Sequence, residues 1–403
     1  MGAGTLVELI ARGSQDAYLI GNPQMSFFKS IYKRHTNFSM EPIKQMFTEI
    51  PDFGKKVTCI IDKKADLLND IILEVELPAL VNDVSWANGI GYAMLDYVEL
   101  QLGGEMIDKI SGTLLDAWME LSTQLGIKNI LYTMISKSIT FNKNTQTGSK
   151  KLLIPLPFWF TRSIERALPL IALQYIDIKI IVKFKSFDKC WFKLTDSIPP
   201  ANISIINASL ICNYIYLDTF ERQKVATQKI TEYLIEQFQE NVSYQVIENT
   251  ANINIPIFFN HPVKELIWLY ISQNTLNNND YYNYANILNY NTPTETKTEP
   301  FNRFQMRFNG NERFEYLPSG YFYLYQPYKH HSCGTSQYIH VYSFAVTPET
   351  IQPSGTSNFS KLDNITLNMQ CSDNIQNGNI HIYATNYNIL RIQNGIAGIL
   401  FSS

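Results

Sequence analysis

The sequence predicts an all-β protein built as two consecutive β-sandwich domains, and three observations lead to this prediction. The chain has 403 residues, which is more than one core usually serves at roughly 100–200 residues per domain. Apolar and polar residues alternate with a period of two in many segments, as in strands that bury one face. Segments with a helical period are few and short, which argues against an α/β enzyme core.

The strand period is clearest in two segments. From Ile176 to Phe184 every second residue is apolar, and charged residues fill most of the positions between them. Residues 364–369 repeat this alternation late in the chain. Gly103 and Gly104 separate two further strand-like segments and predict a two-residue hairpin turn, because glycine readily adopts the positive φ angles of such turns.

Helical signals occur at two places. Apolar residues from Leu114 to Leu121, Trp118 among them, have the spacing of one short amphipathic helix. Asp218, followed by Glu221 three residues later, predicts the start of a second helix. We place the domain boundary at this second helix, because strand-like residues 210–216 give way there to charged sequence. The predicted organisation is an N-terminal arm (1–26), a first sandwich (27–216), a linker (217–228) and a second sandwich (229–403).

Composition argues against several classes of function. Charged residues make up 17% of the chain, below the usual quarter or so, and the net charge is −3. Without a basic face or arm, direct nucleic-acid binding is not expected. The five cysteines include no pair with CxxC spacing, which indicates neither a disulfide framework nor a thiolate zinc site and fits a reducing cytoplasm.

The N-terminal residues and the hydropathy pattern bear on membrane targeting. Glu8 and Arg12 lie where the apolar core of a signal peptide would be. No apolar run reaches the ~18 residues of a membrane span. We therefore expect neither a secretory leader nor insertion into a membrane.

Three segments are predicted to be loops: 141–151, 274–300 and 328–337. The second contains eight Asn residues and is expected to project into solvent. In the third, His330, His331 and Cys333, with His340 beyond, could suggest a metal site. Their spacing matches no closed structural set, so we interpret them as loop histidines near Tyr328 and expect no metal.

Carboxylate pairs are the remaining candidates for catalysis. Glycosidases use two carboxylates about 5–10 Å apart, and Glu74 with Glu76, or Glu232 with Glu236, have the spacing of one face. Solvated strand faces explain these pairs equally well. Because GxSxG, P-loop and HExxH motifs are also absent, we expect no enzyme, no catalytic residue and no cofactor. A carbohydrate-binding or glycosidase sandwich stays an alternative, since aromatic residues make up 13% of the chain and could line a sugar platform.

Several blocks of sequence resemble the major capsid proteins of nucleocytoplasmic large DNA viruses. The most specific lies towards the C-terminal end and consists of Val341-Tyr342-Ser343-Phe344-Ala345 with Pro348-Glu349, then Gln352-Pro353-Ser354-Gly355-Thr356-Ser357-Asn358-Phe359-Ser360. The other blocks, which follow the family's order along nearly the whole chain, are residues 13–24, 27–29, 98–104, 116–121, 167–175, 216–222, 232–237, 384–392 and 395–398.

This resemblance implies two consecutive eight-stranded jelly rolls, with a few short helices in loops and in the linker. It also implies a homotrimer of pseudo-hexagonal outline that tiles an icosahedral shell beside minor capsid and penton proteins. The expected location is the virion capsid, after synthesis and assembly in the host cytoplasm. A minor capsid paralogue with the same fold stays an alternative to the main capsomer.

The resemblance also marks candidate assembly residues. Residues 352–355 predict a turn, since Pro fixes φ and Gly relaxes it, and Phe359 is expected to plug one end of a sandwich. This corner could face a neighbouring copy or be purely intramolecular. The arm could order against a neighbouring capsomer or fray. The full set of candidates is Asn22, Pro23, Phe27, Phe28, Trp118, Gln352, Pro353, Ser354, Gly355, Phe359, Asn386 and Tyr387.

Overall fold

The computed structural model describes residues 2–80, 84–138, 147–193, 203–228, 230–288, 297–334 and 337–401. The chain forms two compact units, Met1–Asn37 and Phe38–Ser403. The smaller unit contains helices α1 (Ala3–Ile10) and α2 (Ala17–Ile20), neither of which has a buried residue. The larger unit contains all the strands of the described residues.

Two four-stranded sheets form a sandwich from the first half of the larger unit. The strands are β1 (Phe38–Met46), β2 (Lys56–Ile60), β3 (Leu67–Leu77), β4 (Val84–Trp86), β5 (Leu95–Leu102), β6 (Glu105–Ser111), β7 (Lys150–Pro155), β8 (Leu168–Pro169), β9 (Ile178–Phe184), β10 (Trp191–Lys193) and β11 (Asn207–Leu217). One sheet has the order β1-β11-β3-β7 and the other β2-β9-β5-β6. Short β8 extends the first sheet, and β4 pairs with β10.

The second half repeats this arrangement. Its strands are β12 (Ile230–Glu240), β13 (Tyr244–Val246), β14 (Asn252–Ile257), β15 (Pro262–Ser272), β16 (Asn286–Ile287), β17 (Lys297–Thr298), β18 (Phe301–Phe308), β19 (Asn311–Pro318), β20 (His340–Ser343), β21 (Ser357–Asn358), β22 (Ile365–Cys371), β23 (Gly378–Gln393) and β24 (Ile396–Ile399). The main sheets are β12-β23-β15-β20 and β14-β22-β18-β19.

Both sandwiches therefore have one topology. Numbered within its own half, each places its eight main strands in the orders 1-8-3-6 and 2-7-4-5. All the pairings are antiparallel, and this order is that of an eight-stranded jelly roll. The predicted double jelly roll is confirmed, while the domain limits drawn from the sequence stay predictions.

Helices occur between the strands. They are α3 (Ile90–Ala93), α4 (Gly112–Ser122), α5 (Leu125–Ile135), α6 (Thr219–Thr227), α7 (Gln273–Asn277), α8 (Gln326–His330) and a π-helical turn, Tyr321–Tyr325, directly before α8. Helix α4 is the amphipathic helix predicted around Trp118, and Ser111 caps it by accepting a hydrogen bond from the Leu114 amide at 3.4 Å. Helix α6 begins after Asp218, as its N-cap signal predicts.

The local strand predictions hold where alternation is regular. In β9, Ile178, Ile180, Val182 and Phe184 are all buried. The turn between β5 and β6 has positive φ at both Gly103 (61°) and Gly104 (90°). Alternation fails in β15, where every residue after Pro262 is buried. Its sheet is covered on both faces, and strands buried in this way appear as continuous apolar runs.

The prediction that residues 274–300 project into solvent is wrong for the part that the structure describes. Tyr281, Tyr282, Tyr284 and Ile287 are buried, and Asn279 Nδ2 donates to two backbone carbonyls of the first jelly roll at 2.7 and 2.8 Å. Tyrosine rings and asparagine amides thus fix this segment onto the neighbouring sandwich. Residues 289–296 lie outside the described residues, as do residues 141–146 of the first predicted loop and 335–336 of the third.

One hydrophobic cluster extends across the contact between the two jelly rolls. Outward-facing Ile267, Leu269 and Val341 of the β12-β23-β15-β20 sheet belong to the same cluster as the interior of the first jelly roll. The interior of the second jelly roll forms a separate cluster around Trp268 and Phe304. The contact between the sandwiches is therefore packed like a protein interior.

Candidate functional site: the junction of the jelly rolls

Strand β6 of the first jelly roll meets β12 of the second at the centre of the junction. The Phe238 amide donates a hydrogen bond to Asp108 Oδ1 at 3.0 Å, and the Gln237 side-chain amide donates to the Ile107 carbonyl. Burial raises the pKa of Asp108 to about 7, although the Phe238 amide and the Arg162 charge oppose that effect. A carboxyl group therefore titrates near neutral pH between the two sandwiches.

Helix α4 lies against the outward face of the second jelly roll. The Trp118 ring is 5.4 Å from the Phe238 ring in an edge-to-face arrangement. The Arg162 guanidinium lies 4.7 Å from both ring centroids, a distance at which cation–π attraction is effective. Near the start of the helix, Ser111 Oγ is 3.5 Å from the Tyr383 hydroxyl. Trp118, a candidate through resemblance alone, is thus a central residue of this contact.

Glu236 on β12 is surrounded by three cations. Its carboxylate lies 2.6 Å from Arg162, 3.2 Å from Arg166 and 2.9 Å from Lys264. Only 3% of the Glu236 side chain is exposed. Burial would raise the pKa of Glu236, but the three cations hold it below its usual value. Both arginines come from the first jelly roll, so this cluster bridges the two halves electrostatically.

Arg166 and Lys264 also bind the loop after β20. Arg166 donates to the Ile351 carbonyl at 2.9 Å, and Lys264 donates to the Pro348 carbonyl at 2.5 Å. Each cation therefore satisfies a carboxylate and a backbone carbonyl together. Buried charges are tolerated when they are paired and hydrogen-bonded in this way.

His331 is an ion-pair residue, which corrects its interpretation as a loop histidine near Tyr328. Its Nε2 lies 2.9 Å from Glu265 and its Nδ1 lies 2.8 Å from Glu349, with the imidazole fully buried. Burial disfavours the charged ring, yet the two carboxylates raise the pKa of His331 to about 9. Tyr328, by contrast, is exposed.

The other histidines of this group occupy different surroundings. His340 stacks on Trp268 at 5.8 Å inside the second jelly roll, and burial lowers its pKa to about 3. His330 is half-buried, and its Nδ1 lies 2.9 Å from the Val346 carbonyl oxygen. Among the described residues, no three His, Cys, Asp or Glu side chains are placed to hold a metal ion.

A second buried ionic cluster joins α4 and α5 to the Asn-rich segment. Lys137 forms ion pairs with Asp116 and Glu120, and Lys128 lies 2.5 Å from Glu120. Tyr284 of the second jelly roll donates to Asp116 Oδ2 at 3.0 Å. Burial raises the pKa of Asp116 to about 6, with the Lys137 charge opposing it. Two acids and two lysines balance, so the cluster is neutral when all four are ionised.

The predicted turn at residues 352–355 is part of the loop after β20. Ser354 Oγ accepts from the Thr347 amide at 3.0 Å, and Gly355 has φ 132°. A Cβ at Gly355 would lie 2.7 Å from the Phe344 carbonyl oxygen, so glycine is required there. Gln352 and Pro353 are exposed.

Phe359 lies on the interior side of this corner. It is buried and packs against the rings of Phe344 at 5.7 Å, Phe308 at 5.9 Å and Phe259 at 6.4 Å. These four rings fill one end of the second jelly roll. Phe359 therefore contacts residues of its own chain, while the turn before it is open to solvent.

Asn386 and Tyr387 lie in β23 beside β12. Asn386 Oδ1 accepts from Gln239 Nε2 at 2.9 Å. The Lys264 ammonium lies 5.4 Å from the centroid of the Tyr387 ring, which places Tyr387 next to the Glu236 cluster. Burial raises the pKa of Tyr387 to about 12.

The remaining candidates, Asn22, Pro23, Phe27 and Phe28, belong to the smaller unit and are exposed. Asn22 adopts a positive φ of 49°, a conformation that asparagine tolerates better than most residues. The structure brings Trp118, Tyr387 and the loop after β20 to the junction, whereas these four residues lie in a unit of their own.

Sequence reasoning missed Asp108, Arg162 and Lys264. A signal was present for Lys264 and its neighbour Glu265, since two adjacent charges interrupt the apolar run of β15. Charged residues in a strand buried on both faces need partners. No comparable signal marks Arg162, whose partners lie far away in the sequence.

The carboxylate pairs considered for catalysis are engaged separately. Glu74 pairs with Lys44, and Glu76 lies 3.6 Å from Lys151. Glu232 forms a two-pronged contact with Arg391 at 2.6 and 2.8 Å, while Glu236 is buried among three cations. Each acid is therefore accounted for by a neighbouring base.

Within the described residues, one large sheet surface has no cover comparable to that of the junction. On the outward face of the β1-β11-β3-β7 sheet, Met40 and Leu153 are each 38% exposed and Met46 is 60% exposed. The equivalent outward face of the second jelly roll, with Ile267, Leu269 and Val341, is buried. Across the described residues, no helix combines the length and the apolar character needed to cross a bilayer.

Comparison with known proteins places these features in a family. Residues 26–218 match the profile described as major capsid protein N-terminus, and residues 221–398 match that of the large eukaryotic DNA virus major capsid protein. The major capsid protein of Pyramimonas orientalis virus is 38% identical, with all of both chains aligned. That of Paramecium bursaria Chlorella virus 1 is 33% identical over the full length of both chains.

A solved structure agrees with the sequence matches. A chain of the quasi-atomic PBCV-1 virus capsid superimposes with a TM-score of 0.83 at 28% identity. The alignment covers 94% of the present chain and all of the other.

Proposed function

The chain belongs to the family of major capsid proteins of large eukaryotic DNA viruses, and on this premise we propose that it forms homotrimers of pseudo-hexagonal outline that tile an icosahedral shell. One observation supports this most directly. A single chain carries two jelly rolls of identical strand order, joined through a packed junction. Three copies would supply six similar sandwiches. A ring of these six around a threefold axis would have a six-sided outline.

The proposed role is structural rather than catalytic. Support comes from the carboxylate pairs considered for catalysis, whose members are each engaged with neighbouring bases, and from the low charge of the chain. Neighbouring capsomers, minor capsid proteins and penton proteins are the proposed partners, and other components would handle the genome. The five cysteines are buried and free, in keeping with synthesis and assembly in the host cytoplasm.

Mass photometry of the purified protein tests this proposal. The expected particle has a mass near three times 46.4 kDa, and negative-stain micrographs should show six-sided outlines. An obligate interface of roughly 2,000–5,000 Å² should keep the trimer intact at micromolar dilution. A stable monomer with a saturable glycan-binding site would instead support the carbohydrate-binding alternative.

A further inference from the structure

We propose that Lys137 and Asp116 become joined by an isopeptide bond, which forms spontaneously inside the folded chain with Glu120 as the proton carrier. The bond replaces the buried ion pair between helix α4 and the residues directly after α5. This inference is independent of the proposed trimer, because both side chains belong to the same chain and no second copy takes part.

The two groups that react are already in contact. Lys137 Nζ donates a hydrogen bond to Asp116 Oδ1 and lies 2.7 Å from Glu120 Oε1. The exposed fraction is 3% for the Lys137 side chain and 1% for that of Asp116. An amine and a carboxyl group held together in this way have a very high effective concentration. An amide that does not form between free molecules in water can therefore form here.

Tyrosine rings keep water away from this contact. The Lys137 ammonium lies 4.9 Å from the centroid of the Tyr282 ring and 5.5 Å from that of Tyr132. Tyr92 and Tyr282 are buried, and among the described residues their hydroxyl groups have no hydrogen-bond partner. Condensation of an amine with an acid releases water, so a site from which water is excluded favours the amide.

Asp116 has the properties of the group that is attacked. An amine adds to an uncharged carboxyl group and not to a carboxylate, and burial raises the pKa of Asp116 to about 6 although the Lys137 charge opposes this. The Tyr284 hydroxyl donates a hydrogen bond to Asp116 Oδ2 at 3.0 Å. It is therefore placed to stabilise the negative charge that develops on Oδ2 when the amine adds to Cγ.

Glu120 is placed to move the protons. Burial would lower the pKa of Lys137, but the carboxylates of Asp116 and Glu120 hold it above its usual value. The side chain therefore rests as an ammonium, and a base must take a proton before the nitrogen can attack. Glu120 Oε1 is within hydrogen-bonding distance of that nitrogen, as a general base must be. Because the amide persists once it has formed, a small uncharged population is sufficient.

The reaction balances without a further reagent. Glu120 carries two of the three ammonium protons in turn from Lys137 Nζ to Asp116 Oδ1, and Oδ1 leaves as water. The Nζ–Cγ bond forms, the Cγ–Oδ1 bond breaks, and Oδ2 becomes the amide carbonyl oxygen that keeps its hydrogen bond from Tyr284. No oxidant is needed, so this cross-link is compatible with a chain whose five cysteines are free.

The bond also lowers the number of buried charges. After the reaction Glu120 and Lys128, which lie 2.5 Å apart, remain as a neutral pair. The contact between Lys264 and Glu236 has no such outcome, because the cations around Glu236 hold its pKa below the usual value. That carboxylate stays ionised and does not react with an amine. The chemistry is therefore specific to Lys137.

Mass spectrometry of the wild-type protein is the first test. The intact mass should be lower than the sequence mass by one water molecule. After trypsin digestion, residues 110–128 and 129–143 should form one branched peptide, because trypsin does not cleave at an acylated Lys137. Separate peptides 110–128 and 129–137 from both fresh and long-incubated protein would overturn the proposal. A loss of water located in any other peptide would overturn it as well.

Conservative variants test the role of each group. Lys137→Arg keeps the buried cation but cannot form the amide, and Glu120→Gln removes the base at nearly constant volume, so both should have their full sequence mass. Lys128→Arg is the matched control, because it keeps a cation beside Glu120 and should still lose water. Water loss that persists in Lys137→Arg would show that Lys137 is not the nucleophile. The wild-type measurement decides the proposal even if a variant does not fold.

Discussion

The two carboxylate oxygens of Asp108 differ in their hydrogen bonding. Its Oδ1 accepts hydrogen bonds from the amides of Phe238 and Lys109, both at 3.0 Å. Its Oδ2 is buried and has no hydrogen-bond partner among the described residues. A negative charge is costly at such a site, which is why its pKa rises to about 7. Between pH 4 and 7 the folded protein thus holds a proton that the unfolded chain has released.

This proton sets the sign of a pH effect. Because the folded state binds more protons over that interval, the free energy of unfolding should fall as pH rises from about 4 to 7, by roughly 1 kcal/mol per pH unit from this group. Asp108→Asn should remove that contribution, so its stability should depend less on pH. Chemical denaturation at pH 5, 6 and 7 and at one protein concentration measures the slope.

A matched variant guards against general charge effects. Asp363→Asn removes a carboxylate that is exposed, so it should leave the slope of the wild-type protein unchanged. An Asp108→Asn protein that keeps the full wild-type slope would show that this carboxyl is ionised throughout the interval.

Glu236 gives a second prediction about single residues. Glu236→Gln would leave Arg162, Arg166 and Lys264 buried without their shared anion, and removal of one partner from a buried ionic cluster costs about 3–5 kcal/mol. Glu232→Gln is the control on the same strand, because its exposed pair with Arg391 should contribute only about 0–1 kcal/mol. Urea denaturation of both variants compares the two losses. Equal losses would contradict the bridging role of Glu236.

At the scale of elements, the loop after β20 depends on one glycine. Gly355→Ala should lower the free energy of unfolding by more than about 1 kcal/mol, because its φ is positive and a Cβ would meet the Phe344 carbonyl. Gly126→Ala, at an exposed position of α5 with no atom within 4 Å of the new Cβ, should instead raise it by up to about 1 kcal/mol. Thermal denaturation distinguishes the two. Tolerance of alanine at position 355 would mean that the loop can rearrange.

The sequence predicts elements well where one face alone is buried. The alternation of β9 and β22 and the two glycines after β5 each depend on neighbours along the chain, so local patterns suffice. The Asn-rich segment misleads, because Asn279 there donates to carbonyls of the first jelly roll and the neighbouring tyrosines are buried instead of meeting water. The junction clusters were missed for a related reason, since Arg162 and Glu236 are brought together by tertiary structure alone.

The whole molecule combines a packed double jelly roll with an exposed N-terminal unit. Deletion of residues 2–26 removes α1, α2 and candidates Asn22 and Pro23, none of which contributes to the strands. We expect the truncated protein to form trimers of normal stability but to fail to assemble into shells. The reason is that the deleted arm would become ordered against a neighbouring capsomer and so link the two. Mass photometry checks the trimer and electron microscopy the shells. Complete shells from truncated protein would show that the arm is dispensable.

The junction of the two jelly rolls also has a mechanical consequence. Its polar contacts depend on direction as well as distance. They are the Phe238 amide on Asp108, the three cations on Glu236 and the Tyr284 hydroxyl on Asp116. A change in the angle between the two sandwiches would lengthen or break these contacts. The two jelly rolls should therefore move as one rigid body, with no hinge between them. Any curvature of a surface built from such subunits would have to arise at the contacts between subunits.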